Sequence, residues 1–143
     1  MGEQRQSKRL DPMSTRNTDW FWEEAAEGRL SIQKCTQCGH LHHPPRPVCP
    51  DCHCLELAPT QMSGRGTVYS RIQVHYPAPI GFDEPPVIAL IDLEEGGVRL
   101  ISNIVDATLD EIATDAPVVV DFEKTAKGKT LPVFRLASKG VGA

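Results

Sequence analysis

Positive charge is in short supply in this chain: 15 Lys and Arg stand against 19 Asp and Glu, a formal charge of -4 over 143 residues. A protein that holds a nucleic-acid duplex neutralises phosphates with an excess of basic residues. The local basic groups, Arg65/Arg71 and Lys124/Lys127/Lys129, are thin for that task. No segment approaches the roughly 20 apolar residues of a membrane-spanning helix. The opening Met1-Gly2-Glu3-Gln4-Arg5-Gln6-Ser7-Lys8-Arg9 is polar throughout and lacks the apolar run of a secretory leader. The expectation is a cytoplasmic chain with no membrane and no nucleic-acid partner. Its 40% hydrophobic and 24% charged composition is ordinary for one globular domain plus a small module.

Four of the five cysteines form two Cys-x-x-Cys pairs, Cys35/Cys38 and Cys49/Cys52, with ten residues between them. Two such knuckles aim four thiolates at one ion, the donor set of a structural zinc. Four sulfurs close the coordination shell, so the metal holds structure and leaves no position for water or substrate. Disulfides would need an oxidising compartment, which nothing at the start of the chain supports. Iron in the same four sulfurs, a rubredoxin-like electron carrier, remains the alternative metal and would make the protein red. Cys54 and His53, just past the second knuckle, are not needed as ligands. His40, His42 and His43 lie between the knuckles and are expected to be solvated or packed on Pro44, Pro45 and Pro47.

Residues 1–16 are polar and uncapped and predict a disordered arm. Over 17–29, a helix starts after Asn17, Thr18 or Asp19, runs through Trp20-Phe21-Trp22-Glu23-Glu24-Ala25-Ala26-Glu27 and stops at Gly28. Consecutive helical residues point about 100 degrees apart, so three aromatics in a row cannot all face one small core. The helix either fills a groove between ribbon and main domain or meets another subunit.

The ribbon is expected over 30–60 and a β-domain over 61–137, with 138–143 as a tail. From residue 61 the apolar period becomes two. Strands are expected over 66–76, 87–93, 98–105, 117–123 and 131–136. Val68, Ile72, Val74 and Tyr76 would share one face of the first, opposite Arg71, Gln73 and His75. Gly64 and Gly66 suggest a bend or bulge. Glu94-Glu95-Gly96-Gly97 forms a hairpin turn, Thr108 with Glu111 a capping box for one helical turn, and Pro132 places the last strand at an edge. Five strands with a short helix between the third and fourth give a mainly β fold: N-terminal helix, zinc ribbon, then a five-stranded OB-fold barrel, with an SH3-like barrel as alternative.

The order of parts is then distinctive: Phe21-Trp22, Gly28-Arg29-Leu30, Cys35-x-x-Cys38-Gly39, Pro44-Pro45-Arg46, Cys49-x-x-Cys52, Gly64-Arg65-Gly66-Thr67-Val68-Tyr69-Ser70 and Leu131-Pro132-Val133-Phe134. Over about residues 19–137 this resembles the acyl-CoA-associated OB-fold proteins with a rubredoxin-like zinc ribbon, the family called domain of unknown function thirty-five. An aromatic usual after the ribbon is missing near Glu56-Leu57-Ala58, and a glycine before the fourth strand is replaced around Thr114.

The resemblance implies a small subunit of a hetero-oligomer with a thiolase-like or lipid-transfer-protein-like enzyme acting on acyl-CoA thioesters: a thiolase, an acyltransferase or a steroid side-chain aldolase. Related domains are fused to hydratase subunits acting on steroid enoyl-CoA. The partner then holds the catalytic residues, and the small subunit stabilises it and helps complete a CoA site. The residues agree that catalysis lies elsewhere, because a thiolase-type mechanism needs a cysteine nucleophile with a histidine base. Cys54 and His53 are adjacent and point apart. CoA needs a few positive groups beside an apolar slot; Arg46 after two prolines, Arg65 between glycines and Arg71 are the candidates. The competing class is a single-stranded nucleic-acid module, which would use Tyr69, Tyr76, Phe82, Phe122 and Phe134 for stacking.

Overall fold

In the computed structural model, which describes residues 5–139, the described part of the arm expected to be disordered lies against the barrel. Arg5–Gln6 form strand β1, parallel to the end of a long strand at Pro117–Lys124. The Ser7 amide and hydroxyl both donate to the Lys124 carbonyl (2.9 and 3.1 Å), and the Ala126 amide donates to the Arg9 carbonyl (3.1 Å). Arg9 Nη1 pairs with Glu123 Oε2 at 3.1 Å. The arm's polar residues are thus spent on the barrel, a use that composition cannot reveal. Residues 1–4 lie outside the described residues.

Helix α1, Asp19–Ala26, follows Thr18, whose hydroxyl accepts from the Thr15 amide (2.9 Å), and ends at Gly28 with φ +78. It packs against the ribbon on one side and the last barrel strand on the other. Phe21 and Ala25 are buried, while Trp20 and Trp22 are half-buried against the same core. The groove reading of this helix is therefore the one observed within the chain. Glu24 ties the helix to the ribbon: its carboxylate takes two hydrogen bonds from Arg29 (2.9 and 2.8 Å) and one from the Ser31 hydroxyl (2.8 Å).

The ribbon sheet is β2, Ser31–Cys35, flanked antiparallel by β3, Leu41–His42, and β4, Leu57–Gln61. Its apolar residues, Leu30 and Ile32, belong to the same cluster as the barrel interior.

The barrel uses β5, Arg65–Gln73; β6, Val87–Leu93; β7, Arg99–Ile104; β8, Pro117–Lys124; and β9, Thr130–Leu136. The order β8-β5-β6-β7-β9 is closed by β8 pairing with β9. Only β7 with β9, at Ile104↔Phe134, is parallel within this ring. This is the OB arrangement and not the SH3-like alternative. A single helical turn, Leu109–Glu111, links β7 to β8, and the Glu111 carboxylate accepts from the Thr108 amide at 3.0 Å. Val68, Ile91, Ile112, Val133 and Phe134 are fully enclosed.

Two local expectations are corrected. The bulge lies at Tyr69, between Val68 and Ser70, and not at the glycines. One unpaired residue exchanges the faces of the strand, so Val68 is buried while Ile72 is 57% exposed and Arg71 turns partly inward. Gly66 is needed for close approach: a Cβ there would lie 2.6 Å from the Asp92 carbonyl oxygen. Ala137–Lys139 form a final turn; the rest of the expected tail at 138–143 lies outside the described residues.

Candidate functional site

The four sulfurs of Cys35, Cys38, Cys49 and Cys52 lie within 4.8 Å of one another, with Cys35 Sγ–Cys52 Sγ at 3.5 Å and Cys38 Sγ–Cys49 Sγ at 3.7 Å. Sulfurs about 2.3 Å from a tetrahedral zinc stand about 3.8 Å apart, so these residues fit the ion; a disulfide needs about 2.05 Å. The two knuckles are built alike. Cys35 N–H donates to the His40 carbonyl and Cys49 N–H to the Cys54 carbonyl, both at 2.9 Å. Gly39 N–H returns to the Cys35 carbonyl (2.9 Å) and His53 N–H to the Cys49 carbonyl (3.0 Å). His53 therefore occupies the place of Gly39, with φ 63 against 78. Laying the two Cys-x-x-Cys segments over one another exposes this role: His53 closes a turn and is not a ligand.

The amide of Cys38, and then that of Gln37, point at Cys35 and lower its thiol to about 6 despite burial. At Cys52 the Cys54 amide pulls the other way, but burial and the three neighbouring sulfurs win, and the thiol is pushed up to about 12. Four thiols this close resist ionising together; a divalent ion removes that resistance. Cys54 stays outside the cluster, its sulfur accepting from the Glu56 amide at 3.2 Å.

The three loop histidines pack and do not converge on a second metal. His42 is buried with Nε2 donating to Gln33 Oε1 (2.6 Å), an oxygen that also accepts the Arg46 amide (2.7 Å). His43 stacks obliquely on Phe21, ring centres 5.2 Å apart, and His40 lies over His42 at 5.7 Å. Burial holds His42 and His43 below the usual imidazole value.

The candidate arginines are dispersed. Arg65 forks onto Glu94 (2.8 to 3.2 Å), and Arg71 Nε donates to the Ile112 carbonyl at 2.7 Å. They line separate clefts, and Arg46 projects from the ribbon loop. The glycines around Arg65 serve packing on Asp92 and Val120. Of the five aromatics considered for base stacking, Phe134 is in the core and Phe82 lies beneath the Arg9 guanidinium. Phe122 is half-buried and Tyr69 is already covered by Arg99, at 3.4 Å from the ring centre, which leaves Tyr76 open at 93% exposure. Among the described residues no helix is long and apolar enough to cross a membrane.

A four-cysteine ribbon sharing its core with a closed five-strand barrel makes this a zinc-ribbon and OB-fold protein. Family models agree in both halves: the ChsH2 rubredoxin-like zinc ribbon domain matches residues 22–57 and the ChsH2 C-terminal OB-fold domain residues 59–123. The chain belongs to this ChsH2-type DUF35 family. It is 36% identical to a DUF35 domain-containing scaffold protein of Methanothermobacter thermautotrophicus, across 66% of this chain and 72% of that one. It is 43% identical to a probable enoyl-CoA hydratase alpha subunit of Thermomonospora curvata over 91% of this chain, yet spans only 41% of that relative's length. It covers 34% of a Mycobacterium tuberculosis 3-oxo-4,17-pregnadiene-20-carboxyl-CoA hydratase alpha subunit at 37% identity. Among solved structures, a chain of the Ltp2-ChsH2(DUF35) aldolase superposes with TM-score 0.83 at 40% identity, covering 89% of this chain and 99% of that one.

Proposed function

We propose that this chain is a non-catalytic, zinc-bearing accessory subunit of a thiolase-superfamily complex acting on acyl-CoA thioesters, in the cytoplasm, with an aldolase partner as the leading case. The observation that carries the reading is the near-complete superposition on a chain of an aldolase assembly. The hydratase subunit names of two further relatives point to the same acyl-CoA setting and to hetero-oligomers. The zinc ribbon supports a structural role, since four sulfurs fill the shell. Arg46, Arg65 and Arg71 remain the candidate contacts to CoA phosphates. Arg46 is the most available, because Arg65 and Arg71 are engaged by Glu94 and the Ile112 carbonyl.

Affinity purification of the tagged chain from its native cell tests the reading. Recovery in stoichiometric complex with an acyl-CoA enzyme whose activity falls when this chain is removed is the expected result. Recovery only as a free chain, with all acyl-CoA enzymes absent, would sink it.

A further inference from the structure

The outer face of the barrel carries an apolar surface that the zinc site does not explain. On β5, β6 and β7 the bulge at Tyr69 turns Ile72 outward beside Ile88, and Leu90 lies opposite Ile101. Ile72 and Ile101 are 57% and 69% exposed. Ile88 and Ile101 also form one wall of a cleft of about 350 Å³ whose other side is Phe21, Trp22, His43 and Pro132. Sheet face and cleft are thus one continuous groove running from Ile72 to helix α1.

Two polar atoms in the cleft walls are left over. Trp22 Nε1 and His43 Nδ1 are both shut off from solvent and have no hydrogen-bond partner among the described residues. An enclosed polar group without a partner is costly, and an incoming acceptor for the indole N–H removes that cost. Two arginines line the groove: Arg9, paired with Glu123, at the helix end, and Arg71, whose Nε donates to the Ile112 carbonyl, at the Ile72 end. What fits is aliphatic surface accompanied by a neutral carbonyl, which a polypeptide segment supplies with its side chains and main chain together.

We propose that this groove, from Ile72 through Ile101 to Trp22 and His43, is the docking surface for the partner enzyme subunit, which seats apolar side chains on Ile88 and Ile101 and a main-chain carbonyl on Trp22 Nε1. The identity of the occupant rests on the function proposed above. The location of the groove rests on the exposed apolar face and the two orphaned nitrogens.

A photo-crosslinking benzoylphenylalanine placed at Ile101, with the same residue at Leu55 on the ribbon as control, tests this in full-length protein in the native cell. Leu55 is 74% exposed and lines no part of the groove. The expected result is a crosslink from position 101 into an acyl-CoA enzyme subunit and none from position 55. With that subunit purified, Ile101→Asp should raise Kd about 30-fold and Trp22→Phe about tenfold, while Leu55→Asp stays within about threefold. The melting temperature and zinc content of the free Ile101→Asp chain should match the unaltered protein. Crosslinks from position 55 alone, or Ile101→Asp binding as tightly as the unaltered chain, overturn the groove and leave the subunit reading intact. A crosslink from position 101 to a second copy of this chain overturns the partner as occupant. A crosslink from position 101 to a protein of another class keeps the groove and removes the functional reading beneath its occupant.

Discussion

The zinc ribbon and the barrel reach order by opposite routes. In the ribbon, four sulfurs from two turns fall within 4.8 Å because each turn is closed by its own amides, Gly39 and His53 returning to the first cysteine of their pair. That is local chemistry, repeated. The barrel closes through distant partners: β8 meets β9 over Val118↔Leu136 to Lys124↔Thr130, yet meets β5 only at Arg65↔Val119 to Thr67↔Pro117, and β1 borrows the remaining edge. Between them lies a shared apolar seam of Phe21, Leu30, Ile32 and Phe134. One module is organised around four converging sulfurs and the other by packing, and the seam makes them one body.

The sharpest way to break this comparison is to remove the metal. Cys49→Ser should take bound zinc from one ion per chain to near none and withdraw a contribution on the order of 10 kcal/mol from the ribbon. Hydrogen exchange would show β2 and β4 amides losing protection while β6 and β7 amides keep theirs; equal loss in both would show that the barrel cannot stand without zinc. Phe134→Ala should do the converse, costing about 3–5 kcal/mol by cavity formation in the barrel while metal analysis still finds zinc. At the hairpin, Gly66→Ala should cost about 1–3 kcal/mol in denaturant melts through collision with the Asp92 carbonyl.

The seam can be probed by acid. Arg29 first, and then the Ser31 hydroxyl, hold the Glu24 carboxyl down to about 2 from an ordinary 4.5. The folded chain therefore binds fewer protons here than the unfolded one, and the stabilisation is present above pH 4.5 and fades as pH falls toward about 2. Glu24→Gln should flatten that part of the difference in stability between variant and unaltered chain; superimposable pH profiles would contradict it. The smallest effect is expected at His53→Gly, which relieves a left-handed φ of 63 on a side chain that binds nothing in the metal cluster. Zinc content should not change and the melt should shift upward by no more than about 1 kcal/mol.

Much of the barrel was legible from the chain because its signals are local. The hairpin over Val87–Leu93 and Arg99–Ile104 follows from alternation broken by Gly96 and Gly97, and Thr108 with Glu111 caps its turn as expected. The arm was not legible, since Ser7 and Arg9 look like any solvated residues until Lys124 and Glu123 are brought beside them. The β5 face was misassigned because one bulged residue, Tyr69, inverts a period of two without leaving a mark in composition. The three arginines were chosen by type, and only the fold shows that Arg65 and Arg71 already have partners.

By itself, then, the amino-acid sequence determined the metal-binding knuckles, the helix boundaries and the five strands, because capping, turn chemistry and Cys-x-x-Cys spacing act over a few residues. Tertiary structure alone decided which face of β5 turns outward, that the arm straps the barrel, and that Trp22 and His43 end without partners beside Ile101. Those outcomes depend on strand register and ring closure between residues far apart in the chain, where the energies are settled by packing and by which polar groups find one another.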